Sequence, residues 1–283
     1  MNSSSILSPY KRSADHVQSP FRYPGGKYYA LKFIIPFLHL PFHTEYREPF
    51  VGGGSVFFAK TKSRHNWIND LETEVINVYK HTQSKRLLEL LVSRVVSETA
   101  SRERHSIVKL WLPKSLLERA HRTFYLNRTS YSGIINKPAW GWEVGMSAPP
   151  INWEAPLRNA HKKLQGVTIT DLDFEEIINA KSKEKVLIYC DPPYMLADQK
   201  RAYTKPFKSE DHVRLMKCLK RTSHLFCLSY DNCVEVKSLY KWANIYERNW
   251  NYNTANTSGQ RKIGKELVIT NYDAKELRQG QLF

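Results

Sequence analysis

The sequence predicts an α/β fold, a sheet with helices on both faces into which a mainly helical module is inserted. Three observations carry this. Short apolar runs of strand length alternate with amphipathic helical patterns toward both ends of the 283-residue chain, as a sheet covered on two faces requires. A glycine-rich stretch from Phe50 to Gly54 follows the first of these runs and opens a helix, the context that gives such a loop meaning. Between Lys85 and Lys163 the strand pattern stops, and fourteen Lys and Arg stand against six Asp and Glu.

Taken in order, residues 1–19 are polar and Ser-rich and lack the apolar centre of a signal peptide. They read as a flexible arm on a cytoplasmic protein. Strands are predicted at Glu45–Phe50, Asn66–Asn69, Val167–Thr170, Val186–Cys190, Leu225–Ser229, Ile245–Tyr252 and Leu267–Asn271. Helices are predicted at Ser55–Lys62, Glu72–His81, Lys85–Glu98, Ser209–Arg221 and Val234–Tyr240. Ser209, followed by Glu210 and Asp211, supplies a cap with acid in the first turn. Residues 20–84 and 164–283 thus form one domain. The module, 85–163, is helical at first and then loop-like from Asn127, where Gly133, Pro138, Gly141, Gly145, Pro149 and Pro150 break any long element.

A formal charge of +16 is the footprint of a nucleic-acid partner, because neutralising phosphates releases condensed counterions. Cys190, Cys218, Cys227 and Cys233 form no C-x-x-C pair, which argues against both a disulfide framework and a zinc site. No metal is expected. No apolar run approaches the roughly 18 residues of a bilayer span, so no membrane association is expected either.

Asp191-Pro192-Pro193-Tyr194 follows directly on the apolar run Val186–Cys190. The prolines lack amide hydrogens, so the carbonyls of Asp191 and Pro192 stay available to accept from an incoming NH2 group, beside the Asp191 carboxylate. Accepting both hydrogens of an aromatic amine frees a lone pair otherwise delocalised into the ring, and Tyr194 can stack on that ring. The Phe50–Gly54 loop, with Gly52 and Gly54, allows a small molecule to approach the backbone, although Phe57 breaks the strict G-x-G-x-x-G pattern. Asp70 ends the second strand, where α/β sites keep an acid for ribose hydroxyls or where a plain helix cap stands. Phe21 and Tyr28 exclude a phosphate P-loop around Gly26-Lys27. What remains there is a turn presenting Tyr23 and Lys27, the lysine suited to the carboxylate of an amino-acid-like ligand.

With Tyr23-Pro24-Gly25-Gly26-Lys27, Glu48-Pro49-Phe50-Val51-Gly52-Gly53-Gly54-Ser55 and Asp191-Pro192-Pro193-Tyr194 in this order, the chain resembles the Dam-like, alpha-group DNA adenine-N6 methyltransferases from about Phe21 to Tyr272. Ile68-Asn69-Asp70, Asp173-Phe174, Asn127-Arg128, Tyr131-x-Gly133 and the closing Lys265 to Tyr272 agree with it. The resemblance implies a Rossmann-like methyltransferase sheet, with the module as target-recognition domain. It implies S-adenosylmethionine bound by Tyr23, Lys27, Phe50, Gly52, Gly54, Asp70, Phe174 and Asp191. It also implies an adenine flipped from duplex DNA into the Asp191–Tyr194 corner, and direct methyl transfer with Asp191 as acceptor rather than base. A monomer is expected, acting alone or beside a separately encoded restriction endonuclease.

Family members that read GATC carry Tyr-Asn-Gly-Leu-x-Arg in the recognition hairpin, whereas this chain has Tyr131-Ser132-Gly133-Ile134-Ile135-Asn136. Arg pairs with guanine and Asn with adenine, so the change implies a different target. Arg22, Asn127, Arg128, Tyr131, Asn136 and Lys137 are the expected DNA contacts, and Asn256 to Lys262 a further phosphate-facing loop. Trp140 and Trp142 read as packing residues before base-stacking ones. Cytosine-N4 methylation is disfavoured because those enzymes usually begin the corner with Ser. RNA as substrate, and a DNA-binding protein without catalysis, are the remaining rivals.

Overall fold

The computed structural model describes residues 13–22, 27–195, 206–255 and 261–280. Seven strands form one mixed sheet: β1 (Glu45–Glu48), β2 (His65–Asn69), β3 (Val167–Thr170), β4 (Val186–Cys190), β5 (Leu225–Asp231), β6 (Asn244–Ala255) and β7 (Arg261–Thr270). Their order across the sheet is β3-β2-β1-β4-β5-β7-β6. The first five are parallel, and β7 runs antiparallel between β5 and β6. The order reverses between β1 and β4, which lie side by side with Glu45 opposite Val186 and Arg47 opposite Ile188. Ligands of open α/β sheets bind where that reversal opens a crevice at the strands' carboxyl ends.

β1 is shorter than expected because Pro49 has no amide to give the ladder. β6 and β7 are longer and pair as an extended hairpin. Arg261 and Lys262, expected in a phosphate-facing loop, therefore belong to β7, while 256–260 lie outside the described residues.

Side chains alternate across the sheet, as a two-residue period demands. On β4, Leu187 and Tyr189 join one buried cluster, while Val186, Ile188 and Cys190 join the other. The first cluster is filled from α1 (Leu31–His39) and α3 (Thr73–Gln83), and the second from α8 (Phe174–Asn179), α9 (Ser209–Arg221) and α10 (Val234–Leu239). The sequence reading missed α1 because Pro36 interrupts its pattern. Its burial of Leu31, Phe33, Ile34, Ile35, Phe37 and Leu38 outweighs the hydrogen bond that Pro36 cannot make. A short α2 (Ser55–Ala59) ends early because Lys60 turns to extended backbone. Ser209 is the first residue of α9 and not its cap. Asp211 performs the capping instead, accepting from the Lys208 amide at 2.9 Å.

Between β2 and β3 the module supplies α4 (Lys85–Val96), α5 (Arg102–Leu110), α6 (Leu116–Thr129) and α7 (Glu154–Leu164). Ser101 and Ser115 cap α5 and α6, the latter through a reciprocal capping box with Glu118. Leu88 and Leu91 on α4, Phe124 on α6 and Leu157 on α7 share one cluster with the sheet residues Tyr46 and Tyr189. The inserted helices and that face of the sheet are thus parts of one core.

Residues 13–19 do not behave as the expected free arm. Ser13 Oγ donates to the Ala59 carbonyl at 3.1 Å, the Val17 amide to Phe58 at 3.1 Å, and Ser19 Oγ to the Gly53 carbonyl. Asp15 accepts from Lys163 Nζ at 2.5 Å, and that lysine is only 3% exposed. An ammonium withdrawn from water needs a counter-ion, and the segment carries it in. Asp15→Asn is expected to lower stability by about 1–2 kcal/mol, the discount reflecting the partial exposure of Asp15 and the two carbonyls that Lys163 keeps. The urea midpoint checks this, and an unchanged midpoint would show the contact to be idle.

Candidate active site

Asp191 leaves the end of β4 at the strand-order reversal, beside the loop that leaves β1. Its Oδ1 lies 2.7 Å from Lys27 Nζ and accepts from Ser229 Oγ at 3.1 Å. Ser229 is in turn bonded to the Tyr189 hydroxyl at 2.8 Å. Lys27 starts a short 3-10 turn, Lys27–Ala30, and is 5% exposed. Its ammonium lies 4.6 Å from the centroid of the Tyr194 ring and 3.8 Å from Glu266 Oε1. The Tyr194 hydroxyl donates to that same oxygen at 2.5 Å. Pro192 and Pro193 are buried. Burial pushes the Asp191 carboxyl up, opposed by Lys27 and Ser229. It pushes Glu266 to about 7 and Glu48 well above the usual carboxylate range. Three carboxylates thus crowd one corner, with one ammonium bridging two of them.

The glycine-rich loop is held open by its neighbours. Gly52 and Gly54 have φ of 44° and 71°, and a Cβ at Gly54 would come within 2.9 Å of the Phe58 ring. Glycine is therefore demanded both by conformation and by space. The Gly52 amide donates to Asp70 Oδ2 at 2.7 Å, the Glu72 amide to Asp70 Oδ1 at 2.9 Å, and the Tyr79 hydroxyl to the Gly52 carbonyl at 2.9 Å. Asp70 thus caps the turn into α3 and braces the loop together. Phe50 meets Phe174 with ring centroids 5.4 Å apart, and Phe207 joins both at 5.7 and 5.8 Å. Of the sequence-predicted small-molecule site, Lys27 and Asp191 are paired at the end of β4, Gly52 and Asp70 are hydrogen-bonded in the loop that Gly54 ends, and Phe50 and Phe174 are in ring contact. Tyr23 lies outside the described residues. Lys27, expected to meet a ligand's carboxylate, is engaged with Asp191.

The expected DNA contacts divide. Asn127 is 1% exposed and fully occupied. It accepts from the Arg22 amide at 3.0 Å and donates to the carbonyls of Arg22 and Gly133 at 2.5 and 2.8 Å. It is a tie between segments, with no amide left to offer a base. Gly133 sits so close to Arg22 that a Cβ would fall 2.1 Å from its carbonyl. Arg22 and Arg128 line a cleft of about 280 Å³ with Met146, Ser147 and Ala148. The Arg22 guanidinium reaches the Arg128 carbonyl at 3.4 Å. Burial, then the like charge of Arg22, lowers the Arg128 pKa to about 10. Tyr131 is 68% exposed at the base of the loop closed by the Ser130–Trp140 bridge, its amide donating to the Ala139 carbonyl at 2.8 Å. Lys137 is exposed beyond it, and Asn136 is half-buried. Trp140 packs on Trp142 and His105, in keeping with the packing reading.

Sequence reasoning assigned no role to Ser229, Glu48, Phe207 or Glu266. The first two stand within stretches read as strands, Leu225–Ser229 and Glu45–Phe50. Phe207 stands alone before α9, and Glu266 sits inside an apolar strand, where a lone acid is the signal that could have been followed. Among the described residues no group of His, Cys, Asp and Glu is placed to hold a metal ion, and no helix is long and apolar enough to cross a membrane.

The sequence profile described as D12 class N6 adenine-specific DNA methyltransferase matches residues 23–254. A type II methyltransferase of Lactococcus lactis subsp. cremoris is 27% identical over 89% of this chain and 95% of its own length. One from Methanocaldococcus jannaschii is 30% identical over 81% and 88%. A DNA adenine methylase of Vibrio cholerae is 24% identical over 88% and 94%. With the profile spanning the glycine-rich loop, the inserted helices and the Asp-Pro-Pro-Tyr corner alike, the chain belongs to the D12 class of N6 adenine-specific DNA methyltransferases.

Proposed function

We propose that the protein transfers the methyl group of S-adenosylmethionine to N6 of an adenine flipped out of duplex DNA, at a site other than GATC. The observation that carries this is the Asp191 corner, with its acceptor oxygens at the strand-order reversal, beside a glycine loop braced by Asp70. The donor set fits the cofactor: the Asp70 carboxylate suits ribose hydroxyls, Phe50 and Phe174 offer ring faces to an adenine, and the acidic corner suits a cation. When bound, S-adenosylmethionine supplies a sulfonium methyl group open to in-line attack.

Everything else is the protein's work of positioning. Asp191 and the carbonyls after it accept the amino hydrogens of the target base, and Tyr194 supplies a face for its ring. The base must leave the stack because an in-stack N6 cannot be reached. The proton departs only after nitrogen has gained the methyl group, so Asp191 need not act as base beforehand. Arg22 and Arg128 meet the phosphate backbone, and Tyr131 with Lys137 and Asn136 enters or borders the groove. Ser132 and Asn136 stand where GATC readers keep Asn and Arg, which supports another target. Similarity to type II methyltransferases supports a place beside a separately encoded restriction endonuclease, with the protein acting as a monomer.

Single-molecule sequencing of DNA from cells expressing the chain tests the reading. N6-methyladenine in one short motif is expected, and a folded, cofactor-binding protein that leaves adenines unmodified would sink it. Asp191→Ala is expected to lower turnover by about 100-fold or more while duplex binding stays largely intact, measured by transfer of labelled methyl groups and by fluorescence anisotropy. Arg128→Ala is expected to weaken binding to all sequences alike and to reduce the slope of log K against log salt by about 1. An unaltered slope would remove Arg128 from the phosphate contacts.

A further inference from the structure

Glu266 belongs to none of the three motifs, yet it reaches their meeting point from β7, where it pairs with Asp231 of β5. It is 5% exposed. Its Oε1 holds the Tyr194 hydroxyl at 2.5 Å and lies 3.8 Å from Lys27 Nζ, while its Oε2 is buried without a hydrogen-bond partner. Charged carboxylates are seldom buried unless they are paired, so a half-used one beside the reacting corner calls for a role.

We propose that Glu266 is a positioning residue for methyl transfer: it fixes the Tyr194 ring through its hydroxyl, and it receives the Lys27 ammonium when an adenine amino group takes over Asp191. This rests on the adenine reading of the corner. Asp191 Oδ1 is occupied by Lys27 at 2.7 Å, and a neutral amine is a weaker donor than an ammonium. The amine can displace it only if the ammonium keeps a counter-ion nearby, because an unpaired buried charge is far costlier than a shifted pair. Glu266 lies within about one ångström of contact with that ammonium, and its second oxygen is unused. The Tyr194 ring bounds the path, already 4.6 Å from Nζ, so movement between the two carboxylates keeps the cation over the aromatic face.

Burial raises the Glu266 carboxyl to about 7. Lys27 and the Tyr194 hydroxyl oppose the rise, and Asp191 and Asp231 add to it. The counter-ion role needs the anion, so it is complete above that value and fades as pH falls through it. The test measures kcat, KM for unmethylated phage DNA and the Kd of S-adenosylmethionine on the full chain across neutral pH. Glu266→Gln is expected to lower kcat about tenfold or more, to leave KM and cofactor Kd near wild type, and to remove the rise of kcat with pH near 7. Glu266→Asp regains part of kcat and keeps that rise. A Gln variant as fast as wild type, or one slowed with the rise intact, overturns the inference. Should the Gln variant fail to fold, a wild-type profile flat through pH 7, or an Asp variant without the rise, overturns it equally. A wild-type protein that transfers no methyl group at any pH overturns the adenine reading as well, and so separates the two failures.

Discussion

The pairing of β1 with β4 is the constraint on which the site depends. These strands are adjacent in the sheet but separated in sequence by β2, the inserted helices and β3. Their parallel register, Glu45 to Val186 and Arg47 to Ile188, delivers the glycine turn and the Asp191 corner to the same edge. A slip of one residue would exchange every side chain between the two clusters. It would send Leu187 and Tyr189 to the face of Ile188 and Cys190, and turn the corner away from the loop.

Electrostatics at that edge follows from burial. Glu48, Asp191 and Glu266 are all displaced upward by desolvation, and Lys27 is the cation facing two of them. Buried negative charge is costly by itself and becomes favourable where donors or a cation stand against it. The proposed occupants, a sulfonium and an amine, are a cation and a donor of this kind. Neutral backbone dipoles share the load: Asp70, whose charge adds to the upward push on Glu48, is itself satisfied by two amides of its own chain, which fixes the loop.

The sheet was legible because its signals are local. β3 and β4 begin and end where the apolar runs do, and the Phe50–Gly54 loop and Asp191–Tyr194 corner fell where strand ends were expected. α1 was hidden by Pro36, whose local cost the core outweighs. The cap on α9 was misplaced because Ser209 and Asp211 both suit the position, and only the Lys208 amide decides between them. Asn127 looked like a groove contact, beside Arg128 in a basic stretch, and proved to be a buried tie because one of its two partners, Arg22, lies 105 residues away. The same limit hid Glu266, whose partners Tyr194 and Lys27 come from remote parts of the chain. Residue type and spacing report local geometry well and long-range pairing poorly.

Asn127 has a bearing on how such enzymes diversify. One amide holds the backbone of Arg22, which leads into the Lys27 turn, and the carbonyl of Gly133, within the hairpin that presents Tyr131. On the proposed function, the hairpin offered as a DNA contact and the segment entering the chemical centre share a hinge pin, and so do not exchange as separate cassettes. A loop transplanted from a relative has to bring its own junction with it, so if the hairpin reads DNA as proposed, new sequence preferences are more accessible by substitution at its outer positions than by wholesale replacement.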